Sequence, residues 1–333
     1  MSAPRSGADL VGRSVSVDVP ATTANLGAGF DALAMALDLA TTIAVVAVPP
    51  TTEPDVWVDV IGEGAGQLPT GRRNRFVSAM LEGLAAAGVD PDGAGWRVRM
   101  DNAIPVARGL GSSASATVAA LVAADALCGG RLGRERVLEL AAAAEGHADN
   151  AAAAVYGGLC VVTQVGGVPR ALRFDPPDQL LAALYIPDKH LSTAAMRAAL
   201  PDSVPFADAV HNVGAATLTL AALSQGRFDL LAAGTVDRLH EPYRALAYPE
   251  LPELIEAALA AGARGACLSG AGSTIIAFSD DAAAAATIAA AMERRAQQLG
   301  MSGHAAVQAA RAEGARVIAD GDIRPRRSSR VLA

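Results

Sequence analysis

The sequence has little cysteine and no long uncharged hydrophobic run. Its three cysteines are far apart, and each is flanked by apolar or small residues: Cys128, Cys160 and Cys267. This pattern favours buried free thiols in a reducing cytoplasm over disulfides or a metal site. The longest apolar runs are broken by charge, so none reaches the roughly 18 uncharged residues that a membrane helix needs. The N-terminus also lacks the apolar core of a secretory signal. We therefore expect a cytoplasmic protein with no membrane partner.

The chain also lacks an excess of positive charge. It carries 27 basic and 34 acidic residues, a net charge of −7, which gives no reason to expect a nucleic-acid partner. The one basic cluster, Arg324–Arg330, belongs to a polar tail over 321–333 that we expect to be disordered. Apolar residues make up 52%, enough for sizeable cores. The length is about twice that of a typical domain, so two domains are expected.

Strand and helix patterns alternate along the chain without the regular rhythm of a barrel. The predicted strands are Val15–Val19, Thr41–Val48, Val56–Ile61, Trp96–Met100, Leu159–Gln164, Ala182–Ile186, Ala266–Leu268 and Thr274–Phe278. The predicted helices are Asn74–Ala87, Ser112–Leu127, Arg134–Ala144, Thr193–Leu200, Asp208–Ser224, Asp229–Arg238, Pro252–Ala261 and Asp281–Leu299. We interpret this as an α+β fold with domains over 1–165 and 166–320, divided where GGVPR and DPPD interrupt the pattern.

Residues 105–120, PVARGLGSSASATVAA, contain an informative glycine-rich segment. GLGSSA fits the loose dinucleotide-binding pattern G-x-G-x-x-A. Such a fingerprint begins directly after a strand, however, and an acidic residue ends a second strand about 20 residues later. Here DNAIPVAR separates the predicted strand from the first glycine, and the later acids fall in helical or turn sequence. The lysine of a Walker A loop is absent as well. A nicotinamide oxidoreductase is therefore not expected.

Two interpretations of this segment remain. Glycines let the backbone approach an anion, and the free N–H groups and dipole of a helix N-terminus attract negative charge. Ser112 and Ser113 add hydroxyls for a phosphate oxygen or Mg²⁺, and Arg108 adds a cation. The alternative is a structural helix start with a serine as its N-cap. The segment alone does not choose between a phosphate loop and a capped helix.

Three further segments bear on the choice between these two interpretations. VPATTANLGAGFDAL (19–33) fills a turn between two predicted strands with polar side chains, namely Thr22, Thr23, Asn25 and Asp31. EGHADN (145–150) sets four polar groups between alanine runs, which indicates a polar site against an apolar wall. LSGAGST (268–274) is a second glycine-rich turn between apolar strands.

Taken together, these segments resemble the GHMP small-molecule kinases. That superfamily is marked by P-x-x-x-G-L-G-S-S-A, and residues 105–114 match it completely. LSGAGS is similar to its C-terminal glycine motif, and the segments at 19–33 and 145–150 resemble its homoserine kinase branch. The resemblance implies an N-terminal domain like ribosomal protein S5 domain 2 and a ferredoxin-like C-terminal domain. It also implies ATP-dependent phosphorylation of the side-chain hydroxyl of L-homoserine, a step toward threonine.

The resemblance further implies which residues bind ATP and Mg²⁺. The ATP phosphates would lie on the loop residues Pro105, Val106, Ala107, Arg108, Gly109, Leu110, Gly111, Ser112, Ser113 and Ala114. Ser112 (or Ser113) and an acidic residue of the following helix pair would bind Mg²⁺, and Glu145 is the first choice for that acid. Many relatives carry a further glutamate where this chain has Ala143, so Glu139 is kept as an alternative.

The amino-acid substrate is expected between residues from both halves of the chain. The positions that resemble the family's substrate site are Asn25, Asp31, His147, Asn150, Arg197 and Arg244. The arginines come from STAAMR (192–197) and LHEPYR (239–244), and a guanidinium can bind the α-carboxylate of homoserine bidentately. Asp31, Thr193 and Arg197 are the expected catalytic residues. Asp31 suits the substrate ammonium or hydroxyl. Whether it or Asp149 acts as a base stays open, because phosphoryl transfer does not require a strong base.

Two other functions stay open at this point. The first is another kinase of the same superfamily, of the mevalonate or sugar type. The second is a binding protein that keeps the fold without catalysis. A missing loop serine, acid or arginine would favour the second, and none is missing. The resemblance also allows a homodimer.

Overall fold

The computed structural model describes residues 5–50 and 55–318, which form two β-sheets with helices packed against them. The cluster Arg324–Arg330 and the predicted tail over 321–333 lie outside the described residues. The three cysteines are buried and free, as predicted. Within the described ranges, no helix combines the length and the apolar character needed to cross a membrane.

The first sheet brings together strands from both ends of the described chain. Counting those residues alone, it has seven strands, numbered in chain order: β1 (Ser14–Ala24), β2 (Leu33–Val48), β3 (Val56–Gly62), β4 (Gly95–Asn102), β5 (Leu159–Val165), β6 (Val168–Phe174) and β11 (Arg316–Ile318). The main order is β11-β1-β2-β4-β3, in which β3 and β4 run parallel. Strand β2 is long enough to pair with β5 at its start and with β4 at its end.

The second sheet is antiparallel, and helices cover both of its faces. Its strands within residues 5–318 are β7 (Leu181–Pro187), β8 (Gly265–Leu268), β9 (Ile275–Ser279) and β10 (Gly303–Ala309), in the order β10-β7-β9-β8. Alternate residues of β7 point to opposite faces. Ala182 and Leu184 therefore join one apolar cluster, while Ala183 and Tyr185 join another.

Ten helices within the described residues pack against these sheets, and one of them does so mainly through small side chains. Their bounds are α1 (Arg75–Ala86), α2 (Ser112–Leu127), α3 (Gly133–Glu145), α4 (Asp149–Tyr156), α5 (Thr193–Ala198), α6 (Phe206–Gln225), α7 (Leu231–Gly234), α8 (Glu241–Arg244), α9 (Leu251–Ala260) and α10 (Ala282–Gln298). Short 3₁₀ turns occur at Gly7–Leu10 and Phe228–Leu230. Helix α2 buries alanine, serine and threonine along most of its length, so it can lie close to β1 and α1. This packing fixes the position of its N-terminus.

Most of the predicted elements are present, and α2 has its predicted bounds. The interpretation in which a serine is the N-cap of α2 is wrong, because Gly111 occupies that position with a left-handed backbone and no side-chain cap. The helix predicted over Asp229–Arg238 is also wrong beyond Gly234. There the chain turns, and the Asp237 carboxylate accepts backbone N–H bonds at the start of α8.

The interruption predicted at GGVPR is a β-hairpin instead. Gly166 and Gly167 both have positive φ and form the tight turn between β5 and β6, which pair along their whole length. The predicted domain limit between residues 165 and 166 falls inside this hairpin. Because sheet membership changes only after Phe174, we propose the limit between Phe174 and Leu181.

The turn between β1 and β2 is clamped against the second half of the chain. Strand β1 runs to Ala24, so Thr22 and Thr23 lie at its end and not in the predicted turn. Gly27, in the turn, has φ +79°, and a Cβ there would collide with the backbone carbonyl of Thr235. The Gly27 carbonyl also accepts a hydrogen bond from His240 Nε2 at 2.9 Å. A glycine is therefore required for the turn to approach the second half this closely.

We predict that Gly27→Ala destabilises the protein more than Gly129→Ala does. Both glycines have φ +79°, but nothing lies near a Cβ at Gly129. Gly129→Ala should therefore lower the free energy of unfolding by about 1 kcal/mol through backbone strain alone. Gly27→Ala adds the collision and should cost about 2–4 kcal/mol in total. Urea unfolding of both variants measures the difference, and equal losses would contradict the close approach.

Candidate active site

A single large cleft of about 510 Å³ gathers the predicted site residues from distant segments. The predicted residues that line it are Asn25, Asp31, Val106, Ala107, Arg108, Gly109, Gly111, Ser112, Ser113, Ala114, Glu145, His147, Asn150, Thr193, Arg197 and Arg244. Pro105 and Leu110 are buried in the loop and do not line the cleft. Glu139 lies outside it as well, paired with Arg136 at 2.8 Å.

The glycine–serine loop presents the N-terminus of α2 to this cleft. Gly111 has φ +71°, and a Cβ there would collide with the Thr22 hydroxyl, so only glycine lets the loop pack against β1. The first N–H groups of an α-helix have no partner within the helix and attract anions. The Arg108 guanidinium donates to the carbonyls of Val106, Pro187 and Asp188, so it anchors the loop to the end of β7. Its predicted contact with phosphate stays a prediction.

Glu145 lies beside the loop in a compact polar cluster. Its Oε1 atom accepts hydrogen bonds from Ser113 at 3.1 Å and from Thr117 at 2.7 Å. Arg75 contacts the same oxygen at 2.5 Å, and the Glu145 side chain is only 7% exposed. The neighbour of Glu145 is thus Ser113 and not Ser112. These contacts hold the Glu145 carboxylate beside the N-terminus of α2, in the lining of the cleft.

A second charged pair spans the two halves of the chain. Arg197 on α5 binds Asp31 bidentately, with N–O distances of 2.8 and 2.9 Å. The Asp31 backbone has φ +54°, and its N–H donates to Asn25 Oδ1. Thr193, at the start of α5, lines the same cleft. The cleft therefore offers one carboxylate and one guanidinium side by side.

Arg244 is buried against this pair and held by backbone and imidazole groups. It is 2% exposed, and its Nη1 donates to the Gly270 carbonyl at 2.9 Å and to His240 Nδ1 at 3.1 Å. Burial, followed by the charge of Arg197, lowers the pKa of Arg244 from its ordinary value. Burial likewise lowers the pKa of His240 to about 4, so this imidazole is neutral.

The EGHADN segment supplies a third polar group. Asp149 begins α4 and accepts a hydrogen bond from His147 Nδ1 at 2.7 Å. This bond raises the pKa of His147 above its ordinary 6.5. Asn150 accepts a hydrogen bond from Thr22 at 2.7 Å, which ties α4 to the end of β1.

The family follows from comparison with known proteins. Models of the N-terminal and C-terminal domains of GHMP kinases match residues 74–158 and 219–298. A Synechococcus homoserine kinase is 44% identical over 269 residues, which are 80% of this chain and 84% of the relative. A Moorella thermoacetica homoserine kinase is 42% identical over 262 residues, which are 79% of this chain and 86% of the relative. The chain belongs to the homoserine kinase family of the GHMP kinases.

Solved structures support the same assignment. The crystal structure of homoserine kinase from Cytophaga hutchinsonii superposes with a TM-score of 0.81 at 28% identity, covering 92% of this chain and 97% of the other. The mevalonate kinase of L. major superposes with a TM-score of 0.66 at 20% identity, covering 94% of this chain and 100% of the other. At that identity the likeness shows only the shared fold. The predicted α+β GHMP kinase fold and membership of an ATP-dependent kinase family are thereby confirmed.

Sequence reasoning missed several residues that shape this cleft. Arg75 and Thr117 contact Glu145, but each stands in an ordinary helical pattern that gave no signal. His240 lies four residues before the predicted Arg244 in LHEPYR, and its place in the same motif is a signal that could have found it. Phe30, inside the predicted turn, has ring contacts with both arginines and with His240. A single apolar residue in a polar turn carries no local signal of these contacts.

We predict that the His147–Asp149 pair stabilises the protein more at acidic than at alkaline pH. Because the folded-state pKa of His147 is raised, its contribution is complete below the unfolded value of 6.5 and is lost as pH rises through the folded value. Asp149→Asn should therefore lower the free energy of unfolding by about 1 kcal/mol more near pH 6 than near pH 8.5. Urea unfolding at the two pH values measures this difference.

The control for this prediction is the same substitution in a His147→Gln background. Without the imidazole, Asp149→Asn should cost the same at both pH values. A loss that is independent of pH in the wild-type background would contradict the assigned pair. An imidazole titration followed by NMR gives the pKa of His147 directly.

Proposed function

We propose that this chain transfers the γ-phosphoryl group of ATP to the side-chain hydroxyl of L-homoserine, forming O-phospho-L-homoserine. The observation that carries the proposal is that one cleft holds both the α2 N-terminus with Glu145 and the Asp31–Arg197 pair. The first suits a polyphosphate and the second suits a zwitterionic amino acid. The names of the relatives support the same substrate.

The ATP phosphates would lie against the loop Pro105–Ala114. The first residues of α2, whose N–H groups have no partner within the helix, line the cleft, and Ser112 and Ser113 add hydroxyl donors. Pro105 and Leu110 would act from behind the loop, since neither lines the cleft. The adenine base of ATP would extend toward the cleft wall formed by Leu68, Pro69, Asn74 and Met100. This wall combines apolar side chains with the amide of Asn74.

Mg²⁺ would be held by Glu145 and Ser113, with Ser112 beside them. The donor set fits this ion, because a carboxylate and a hydroxyl oxygen lie 3.1 Å apart next to the expected phosphates. Within residues 5–50 and 55–318, no group of three or more His, Cys, Asp or Glu side chains could hold a metal by itself. This agrees with an ion shared between the protein and a nucleotide. When bound there, Mg²⁺ would neutralise charge on the transferring phosphate.

L-Homoserine would bind by replacing contacts that the charged side chains of the cleft make with one another. Its ammonium would take the place of a guanidinium beside Asp31, and its carboxylate would contact Arg197 and Arg244. Asn25, His147 and Asn150 line the same region and would orient the side-chain hydroxyl, with Thr193 at the start of α5. These roles place the hydroxyl between the amino-acid site and the phosphate loop.

The chain's own groups favour catalysis by positioning over catalysis by a strong base. Asp31 is engaged by Arg197, and Asp149 accepts hydrogen bonds from His147 and the Asn150 backbone. Neither carboxylate is therefore poised to take the hydroxyl proton in this arrangement. A loose phosphoryl-transfer transition state needs little base assistance, so the proton can pass to a phosphate oxygen. Asp31 is accordingly assigned to substrate binding.

The substrate is tested by measuring ADP release with MgATP and L-homoserine, L-threonine, mevalonate or galactose in separate reactions. We expect L-homoserine to give a kcat/KM at least about tenfold above every other alcohol. Mevalonate and galactose lack the ammonium group that would match Asp31, and the hydroxyl of L-threonine is one carbon closer to its α-carbon. Detection of a phosphomonoester by ³¹P NMR identifies the product. Equal or better turnover of another alcohol would contradict the proposed substrate.

Glu145→Gln, purified in parallel, is the matched control for this assay. It keeps the size of the side chain and removes the charge. We expect its kcat to fall by at least about a hundredfold if Glu145 holds the metal. Activity retained in this variant would point to a contaminating kinase or to a different metal ligand.

A further inference from the structure

Phe30 stands where the two substrate-site arginines come together. The guanidinium carbon of Arg197 lies 5.5 Å from the Phe30 ring centroid, and that of Arg244 lies 5.3 Å from it. The same ring stacks on His240, with centroids 5.1 Å apart and an angle of 29° between the planes. One half-buried aromatic residue therefore contacts both cations and the imidazole that binds one of them.

Two guanidiniums close to one ring need something to offset their mutual repulsion. In the free protein, Arg197 is neutralised by Asp31, but Arg244 is buried without a carboxylate in direct contact among the described residues. The negative face of an aromatic ring attracts guanidinium groups within about 6 Å of its centroid. Phe30 supplies this attraction to both arginines, which an aliphatic side chain of similar size could not do.

His240 provides a rigid backing for this arrangement. Arg244 can only donate, so His240 Nδ1 is an acceptor and Nε2 carries the proton that is donated to the Gly27 carbonyl. The imidazole is fully buried and held in a single tautomer between the β1–β2 turn and α8. The imidazole plane on which Phe30 stacks is therefore fixed by a hydrogen bond at each ring nitrogen.

We propose that Phe30 is a positioning residue that sets the spacing of Arg197 and Arg244 and thereby selects substrates with a carboxylate. The inference rests on the proposed function, in which these arginines bind the α-carboxylate of L-homoserine. Phe30 acts through the guanidiniums and not on the reacting atoms. It holds both guanidiniums against one ring before the substrate arrives. Arg197 could then exchange Asp31 for the substrate carboxylate without leaving the ring, which lowers the ordering cost of binding.

The test compares Phe30→Leu with Phe30→Tyr, because leucine removes the ring and tyrosine keeps it. Isothermal titration with L-homoserine, and with its uncharged carboxamide, measures binding in the absence of catalysis. Steady-state assays then give KM for L-homoserine and for ATP. We expect Phe30→Leu to raise both the Kd and the KM for L-homoserine about tenfold. The KM for ATP and the affinity for the carboxamide should stay within about twofold of the wild-type values in Phe30→Leu. Phe30→Tyr should keep most of the wild-type affinity for L-homoserine.

Phe174→Leu is the matched control for loss of a half-buried ring, since Phe174 lies on β6 and does not line the cleft. It should leave the binding of L-homoserine unchanged. Unchanged L-homoserine affinity in Phe30→Leu, an equal loss for the carboxamide, or a loss in Phe30→Tyr as large as in Phe30→Leu would overturn the inference. Failure of the wild-type protein to bind or phosphorylate L-homoserine would instead overturn the proposed function, and the inference with it.

Discussion

The site depends on the close approach of one backbone turn to the second half of the chain. The turn after β1 places the Gly27 carbonyl on His240 and the Asn25 amide on the Gly270 carbonyl, at 2.9 and 3.0 Å. Gly270 in turn donates its N–H to Ala24. At Gly27 this approach leaves no room for a Cβ, which would collide with the Thr235 backbone. Because this turn also holds Asp31, the same approach brings Asp31 within reach of Arg197 on α5.

In the proposed assignment, the charged groups of the cleft form two regions, one for each substrate. On the phosphate side, the helix N-terminus and the Arg75–Glu145 pair supply donors and one carboxylate. On the amino-acid side, Asp31 and the two arginines can match a zwitterion group by group. Buried charges are stable only when they are paired or hydrogen-bonded. The substrates would therefore exchange with partners that the protein already provides for itself.

The sequence predicted those parts of the site that have dense local signals. PVARGLGSSA and EGHADN place glycines or polar groups in unbroken runs, and the structure brings them to one cleft. The hairpin at Gly166 resembles a break in the sequence because GGVPR combines two glycines with a proline, a composition typical of loops. Phe30 and Arg75 depend on contacts with residues far along the chain. Such partners are set by tertiary packing, which no local pattern records.

A crystal structure with a non-hydrolysable ATP analogue, Mg²⁺ and L-homoserine would test the central claim most directly. The cleft should align a phosphate on the α2 N-terminus with a hydroxyl fixed by the Asp31 region. We expect the terminal phosphate on the N–H groups following Gly111 and the α-carboxylate in contact with Arg197 and Arg244. A triphosphate bound away from this loop, or a carboxylate that contacts neither arginine, would contradict it.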